Sequence, residues 1–441
     1  MKETIIQFGE GNFLRGFVDY FIHILNEKKL YDGKVVVVQP IASGTADIIN
    51  EQNGVYNLYL RGIENGEEIS EHTEIHSISR AVNPYEDFAS FLELAHNPDM
   101  RFVISNTTEA GIAYDPECGF DDEPPSSFPA KLTKLLYERY KSGLSGLVML
   151  ACELIDDNAR QLEKCVFKYA QQWLLGEDFM QWLTKENEFC STLVDRIVTG
   201  YPKTEAQKLC EKIGYTDRLL DTAEIFHLWV IEGDFEDELP LKSAGLNVIW
   251  TDDVSPYKKR KVRVLNGAHT STVFPALLCG IETVGEAVMD SQINRFLNIC
   301  LFDYIIPQLG DTEENRSFAA AVLERFQNPY INHLWNSIAL NSVSKFTARV
   351  LPTITDCIAS GGSLPRPFAF SLACLIEYYR NNEVLDDDFA VDLIKTGNFD
   401  EILGSDKLWG ENLIAFKPLI EEATEKINSL GIREAVEWAI S

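Results

Sequence analysis

The chain has 441 residues, 45% of them hydrophobic, and a formal net charge of −29. At about 100–200 residues per domain, that length makes two or three domains with well-buried cores. The acidic excess argues against nucleic acid and anionic membrane surfaces as partners, because both are held by clustered Lys and Arg, but a small anionic ligand needs only a local positive site.

Nine cysteines (Cys118, Cys152, Cys165, Cys190, Cys210, Cys279, Cys300, Cys357 and Cys374) are scattered with no C-x-x-C pair, the pattern of reduced core thiols. Met1-Lys2-Glu3-Thr4 leads straight into a short apolar run, with no basic region followed by an apolar targeting segment. The longest uncharged stretch, residues 264–281, carries Asn266, His269, three hydroxyl residues and Pro275, too polar for a membrane span. The expected protein is soluble and cytoplasmic, a monomer or a small homo-oligomer.

In chain order, Ile5-Ile6-Gln7-Phe8 reads as a buried strand, followed by a glycine turn and a helix carrying Phe13, Phe17, Phe21, Ile24 and Leu25. Val35 to Val38 is an unbroken β-branched run, as in a parallel strand covered on both faces. Residues 101–105 and 146–150 repeat that pattern, with a helix near residues 130–140 between them. The acidic, proline-rich segment 118–127 reads as a surface loop within this first domain. After the strand-like run 247–250, helical periodicity takes over, and Ser255-Pro256 supplies an N-cap followed by a first-turn proline. The fold class is α/β: a doubly wound sheet of Rossmann type over residues 1–254, then a mostly α-helical domain over residues 255–441.

Gly9-Glu10-Gly11-Asn12-Phe13 stands between a strand and a helix, where a dinucleotide fingerprint belongs. The first glycine permits the turn, the second admits the pyrophosphate, and the helix start offers N–H groups to the anion. The match is partial, because Leu14 occupies the close-packing position and Gly16 comes two residues later. The second strand runs into Gln39-Pro40 where an acid would hold the ribose of NAD, so the reading of NAD(H) over NADP(H) is a lean. Asn106-Thr107-Thr108-Glu109-Ala110-Gly111 follows another strand end, where open sheets place ligands, so Asn106, Thr107 and Glu109 join the candidate cofactor set.

The most informative stretch is residues 257–270. On a helix with about 100° per residue, Lys261, Asn266 and His269 fall at about 0°, 140° and 80°, within one broad sector. A proton carrier beside two hydrogen-bonding groups suits interconversion of an alcohol and a ketone. The bland alternative is a solvated basic run (Lys258, Lys259, Arg260, Lys261 and Arg263) beside a kink and an interior histidine. Asn341, Lys345 and Arg349 recur at i, i+4 and i+8 and could bind the hydroxyls and carboxylate of a sugar acid, or form an exposed polar stripe; Arg263 is a weaker alternative cation. His72 and His76 lie on a strand-like segment that would part them by about 13 Å, which argues against a metal.

Lys261-x4-Asn266-x2-His269 resembles the signature of the polyol-specific long-chain dehydrogenases, the mannitol dehydrogenase family. Gly9-x-Gly11-x-Phe13-x-Arg15-Gly16, Val194-Asp195-Arg196-Ile197, Arg325-Phe326-x-Asn328-Pro329 and Ser344-Lys345 with Arg349 and Pro352 resemble further blocks, in family order across most of the chain. The wording of residues 189–196 and 261–270 is most similar to members acting on tagaturonate and altronate. The resemblance implies a zinc-independent, NAD-dependent oxidoreductase in hexuronate catabolism, with Lys261 as acid and base and with Asn266 and His269 on the reacting oxygen. Many relatives carry an asparagine four residues before Asp195; Ser191 stands there, a candidate substrate contact of altered chemistry. A fructuronate reductase, a polyol dehydrogenase or a non-catalytic NAD(H) sensor are the alternatives.

Overall fold

The computed structural model describes residues 1–108 and 110–441; Glu109, one of the candidate cofactor residues, lies outside the described residues. The chain divides into two compact units, Met1–Arg61 with Glu68–Ser255, and Gly62–Glu67 with Pro256–Ser441.

The first unit carries strands β1 (Lys2–Phe8), β2 (Gly33–Val38), β3 (Tyr56–Glu64), β4 (Glu67–Ile75), β5 (Ile78–Val82), β6 (Phe102–Ser105), β7 (Val148–Ala151), β8 (Glu188–Asp195), β9 (Asp221–Glu224), β10 (Leu228–Glu232) and β11 (Val248–Thr251), with the β3–β4 tip assigned to the second unit. Eight of them form one sheet in the order β11-β10-β8-β7-β6-β1-β2-β5, and β4-β3-β9 form a smaller one. From β5 to β8 every pairing in the large sheet is parallel, whereas β10 runs antiparallel to β8. Alternation builds the two cores: Ile5, Val35, Val37 and Ile104 face one side, and Ile6, Phe8, Val36 and Val38 the other, all fully buried. That two-sided burial is why β1 and β2 read as near-continuous apolar runs. Connections leave β1 in opposite directions to β2 and β6, which makes their carboxyl ends a topological switch point.

The second unit is helical. Its central element, Gly267–Leu278, is buried almost all round and packs against the helices Arg366–Asn381, Ser342–Arg349 and Ser291–Ile299. Pro275 inside it has no N–H to give the Ser271 carbonyl, and the Ser371 hydroxyl donates to that oxygen instead. The first helix spans Ser255–Lys261, so Ser255 lies inside it, and the carboxylate of Asp253 accepts the Ser255 N–H in the capping role expected of Ser255. No helix among the described residues is long and apolar enough to cross a membrane.

Candidate active site

At the switch point the loops after β1, β2 and β6 extend the ladder by one bond each: Gly9 N–H donates to the Val38 carbonyl, Gln39 N–H to Val82 and Asn106 N–H to Phe8. Gly9 has φ +123°, and a side chain there would come within 2.7 Å of the Asn106 carbonyl, so both backbone strain and space demand glycine. A Cβ on Gly11, by contrast, would meet nothing within 4 Å, leaving the start of the following helix open to a ligand's approach.

That helix is not regular. An α-turn (Asn12–Leu14), a π segment (Arg15–Asp19) and an α-helix (Tyr20–Glu27) run on without a break. A π turn spoils the normal carbonyl pairing, and side chains repair it. The Tyr56 hydroxyl donates to the Arg15 carbonyl at 2.7 Å, and the Arg196 guanidinium to the Gly16 carbonyl at 2.8 Å. Gly16 takes up the close-packing role denied to Leu14, but against Val198, whose methyls lie 3.0 and 3.1 Å from where its Cβ would be.

Several candidate cofactor side chains are occupied in shaping the loops. The Gln39 amide donates to the carbonyls of Ile41 and Ala42 and accepts from the Ala46 N–H. Asn12 Oδ1 accepts from Arg15, Phe13 stacks on Phe17, and Asn106 donates to the Cys152 carbonyl. Thr107 gives both its N–H and its hydroxyl to Glu153, a buried carboxyl pushed upward in pKa by desolvation. What this unit offers a dinucleotide is chiefly bare backbone and a helix start.

In the helical unit, Lys261 ends the first α-helix, a π segment spans Val262–Asn266, and α-helix resumes at Gly267. The Gly267 N–H donates to the Val262 carbonyl, five residues back. The extra residue changes the sector drawn with a 100° step: closing i→i+5 stacks Asn266 nearly over Lys261 rather than 140° away. Both side chains are half-buried, and His269 follows on the buried side.

His269 is 7% exposed, and its Nε2 has no hydrogen-bond partner among the described residues. Its ring stacks on Phe326 at 4.3 Å and meets His333 edge-on at 5.0 Å. Burial first, then the charges of His333, Arg325, Arg349 and Lys345, hold its pKa well below the ordinary value, so the ring is neutral. Lys345 gives its ammonium to the Ile338 carbonyl at 2.9 Å, and Arg349 makes no side-chain hydrogen bond or ion pair with a described residue. Burial lowers both their pKa values, and for Lys345 the nearby Arg349 adds to it. Two cations without carboxylate partners among the described residues, beside a neutral imidazole, form a local positive site in an acidic protein.

Asn341 does not continue that row: it is exposed, in the left-handed region (φ 51°) at the N-cap of Ser342–Arg349. Arg263 is committed elsewhere, to Thr353 and Asp356, and Arg260 to Glu314, so two members of the basic run are buried tethers rather than a solvated face. Ser191 is buried within β8, where its N–H donates to Glu232, and its hydroxyl bonds to no described residue. His72 bonds Asn57, and His76 pairs with Glu74. Arg325, Phe326, His333 and Trp335 around His269 carried no role in the sequence reading; the only signal was the Arg325-Phe326 block, more than fifty residues downstream.

A doubly wound sheet with a glycine turn at its switch point, joined to a helical unit bearing lysine, asparagine and histidine around a π turn, defines a dinucleotide-dependent oxidoreductase architecture. Residues 3–243 match the mannitol dehydrogenase Rossmann domain and residues 253–430 the mannitol dehydrogenase C-terminal domain. The chain belongs to the mannitol dehydrogenase family. It is 45% identical to the altronate oxidoreductases of Escherichia coli K12 and Shigella flexneri, over 98% of this chain and 96% of each relative. The fold is shared with D-sorbitol dehydrogenase in its substrate-free form (TM-score 0.87, 24% identity, 99% of this chain and 95% of that one). It is also shared with Pseudomonas fluorescens mannitol 2-dehydrogenase, solved with NAD and D-mannitol (TM-score 0.73, 20% identity, 99% and 94%).

Proposed function

We propose that the protein is an NAD-dependent oxidoreductase that reduces D-tagaturonate to D-altronate, reversibly, as a cytoplasmic enzyme of hexuronate catabolism. The likeness to altronate oxidoreductases over nearly the whole chain supports the substrate class. The observation that carries the reading is the neutral, buried His269, its Nε2 without a partner among the described residues, beside Lys345 and Arg349, which form no ion pair with a described carboxylate. A polyol has no use for such cations, whereas a sugar acid needs a carboxylate anchor.

In this reading residues 1–254 hold the nucleotide and residues 255–441 act on the sugar. Gly9 permits the turn, and Gly11, Asn12 and Phe13 present backbone N–H groups to the pyrophosphate, while Gln39, Asn106, Thr107 and Glu109 belong to the surrounding loops. When bound, NADH supplies the hydride taken up by the ketone carbon. Asn266 and His269 hold the ketone oxygen as charge develops on it, and Lys261 gives that oxygen its proton; in the oxidative direction Lys261 takes it back. Lys345 and Arg349 bind the carboxylate, with Ser191 offering a contact to a sugar hydroxyl. Nine unpaired thiols fit a reducing compartment, and the acidic surface leaves the small sugar acid, not nucleic acid, as the partner.

NADH oxidation by the purified protein, followed by absorbance with D-tagaturonate, D-fructuronate and fructose supplied separately, tests this directly. Turnover confined to D-tagaturonate is the expected result. Preference for D-fructuronate would replace the substrate by its isomer, preference for fructose would discard the carboxylate anchor, and NADH binding without turnover on any of them would favour a sensor.

A further inference from the structure

In sheets that bind NAD, the second strand commonly ends in an acid that accepts the adenosine ribose hydroxyls. Here Gln39 holds that place and its amide is spent on the loop that follows. A carboxylate nevertheless reaches the spot from the glycine turn. A Cβ built on Gly44 would lie 2.2 Å from Glu10 Oε1 and 2.5 Å from both Cδ and Oε1 of Gln39, so the Glu10 carboxylate, the Gln39 amide and the Gly44 backbone share one small volume beyond β2. Glu10 is only 8% exposed, and its Oε2 has no hydrogen-bond partner among the described residues. The neighbouring Arg15 does not pair with it, giving its guanidinium to the Glu10 carbonyl at 2.8 Å and to Asn12 Oδ1 at 2.6 Å. A buried carboxylate oxygen without a donor is costly unless a ligand supplies one.

We infer that Glu10 is the residue that selects NAD(H) over NADP(H), its Oε2 accepting the adenosine 2′-hydroxyl and its charge repelling a 2′-phosphate. The inference rests on the dinucleotide reading of the turn. The open backbone at Gly11 brings the pyrophosphate to the helix start, and Glu10 is the side chain between that point and the end of β2. The carboxylate thus acts from the turn itself, one strand away from its usual origin.

The test is equilibrium binding without any sugar, read by tryptophan quenching and nucleotide fluorescence, so that its outcome is separate from turnover on a sugar acid. The wild type is expected to bind NADH at least tenfold more tightly than NADPH. Glu10→Gln, which keeps an acceptor oxygen and removes the charge, should shrink that ratio by tenfold or more, mainly through gained NADPH affinity, while Glu10→Asp keeps it. Equal binding of the two nucleotides by the wild type, or a Glu10→Gln variant that weakens both alike, would overturn the assignment. Should the variants fail to fold, the wild type alone decides: 2′-deoxy-NADH should bind several-fold more weakly than NADH, and equal affinity overturns the proposal.

Discussion

Gly267 and the carbonyl of Arg349 are in such close approach that a methyl group on the glycine would stand 3.2 Å from that oxygen. The absence of a side chain at Gly267 lets the helix Ser342–Arg349, with its two cations, lie directly against the turn that carries Asn266 and leads to His269. Gly267→Ala gains about 1 kcal/mol of helix propensity but adds about 1–3 kcal/mol of overpacking. The expected net result is a loss of about 1 kcal/mol in denaturant unfolding, with a several-fold rise in KM for the sugar acid as the cations are pushed back.

Arg349 has no side-chain hydrogen bond or ion pair among the described residues to release, so its removal should act on the substrate rather than on the fold. A charge-assisted hydrogen bond contributes about 1.5–3 kcal/mol, which corresponds to about 10- to 100-fold. Arg349→Gln is expected to raise KM for D-tagaturonate by that factor with kcat within a few-fold, and to leave NADH affinity and thermal stability unchanged. Steady-state kinetics separate the two parameters.

Gly9 combines φ +123° with a carbonyl 2.7 Å from any side chain placed on it. Gly9→Ala should push Asn106 and the glycine turn apart and weaken NADH binding by more than tenfold. Titration of nucleotide fluorescence measures it, and the same variant should melt several degrees below the wild type.

Asp19, in the π segment of the glycine-turn helix, and Asp221, at the start of β9, are both buried, and desolvation raises both carboxyls to about 7. Their folded pKa values exceed the unfolded value of about 4, so the folded state binds the extra protons. The stability they contribute is complete below about 4 and is lost as pH rises through 7. The half-buried His227, pulled down to about 3 mainly by desolvation, works oppositely, losing stability as pH falls from about 6.5 toward 3. Asp19→Asn should therefore melt closest to the wild type at pH 5 and gain on it as pH rises to 8, with the Gln7 amide still donating to the side-chain oxygen.

The parts of the fold legible in the sequence were those where both sides of a strand are buried. Val35 to Val38 and Ile5 to Phe8 announce themselves through continuous apolar character. Strand β9 does not, because Asp221-Thr222-Ala223-Glu224 is buried yet polar, its side chains serving hydrogen bonds that only tertiary neighbours provide. The spacing of Lys261, Asn266 and His269 singled out this stretch, but a fixed 100° step cannot reveal the inserted residue of a π turn. The same limit hid the π segment at Arg15–Asp19, whose carbonyls are met by Tyr56 of β3 and by Arg196 just past β8. Asn341 fitted a helical row by spacing and left it by adopting a left-handed backbone. Arg325 and His333 reach His269 through a loop and a helix end that no local pattern links to it.

The most direct test of the account is the turnover of Lys261→Ala with NADH and D-tagaturonate, beside its NADH affinity. If Lys261 supplies the proton to an oxygen held by Asn266 and His269, kcat falls by about 10²- to 10⁴-fold while NADH binds as in the wild type. A variant that keeps the wild-type kcat would contradict the mechanism outright.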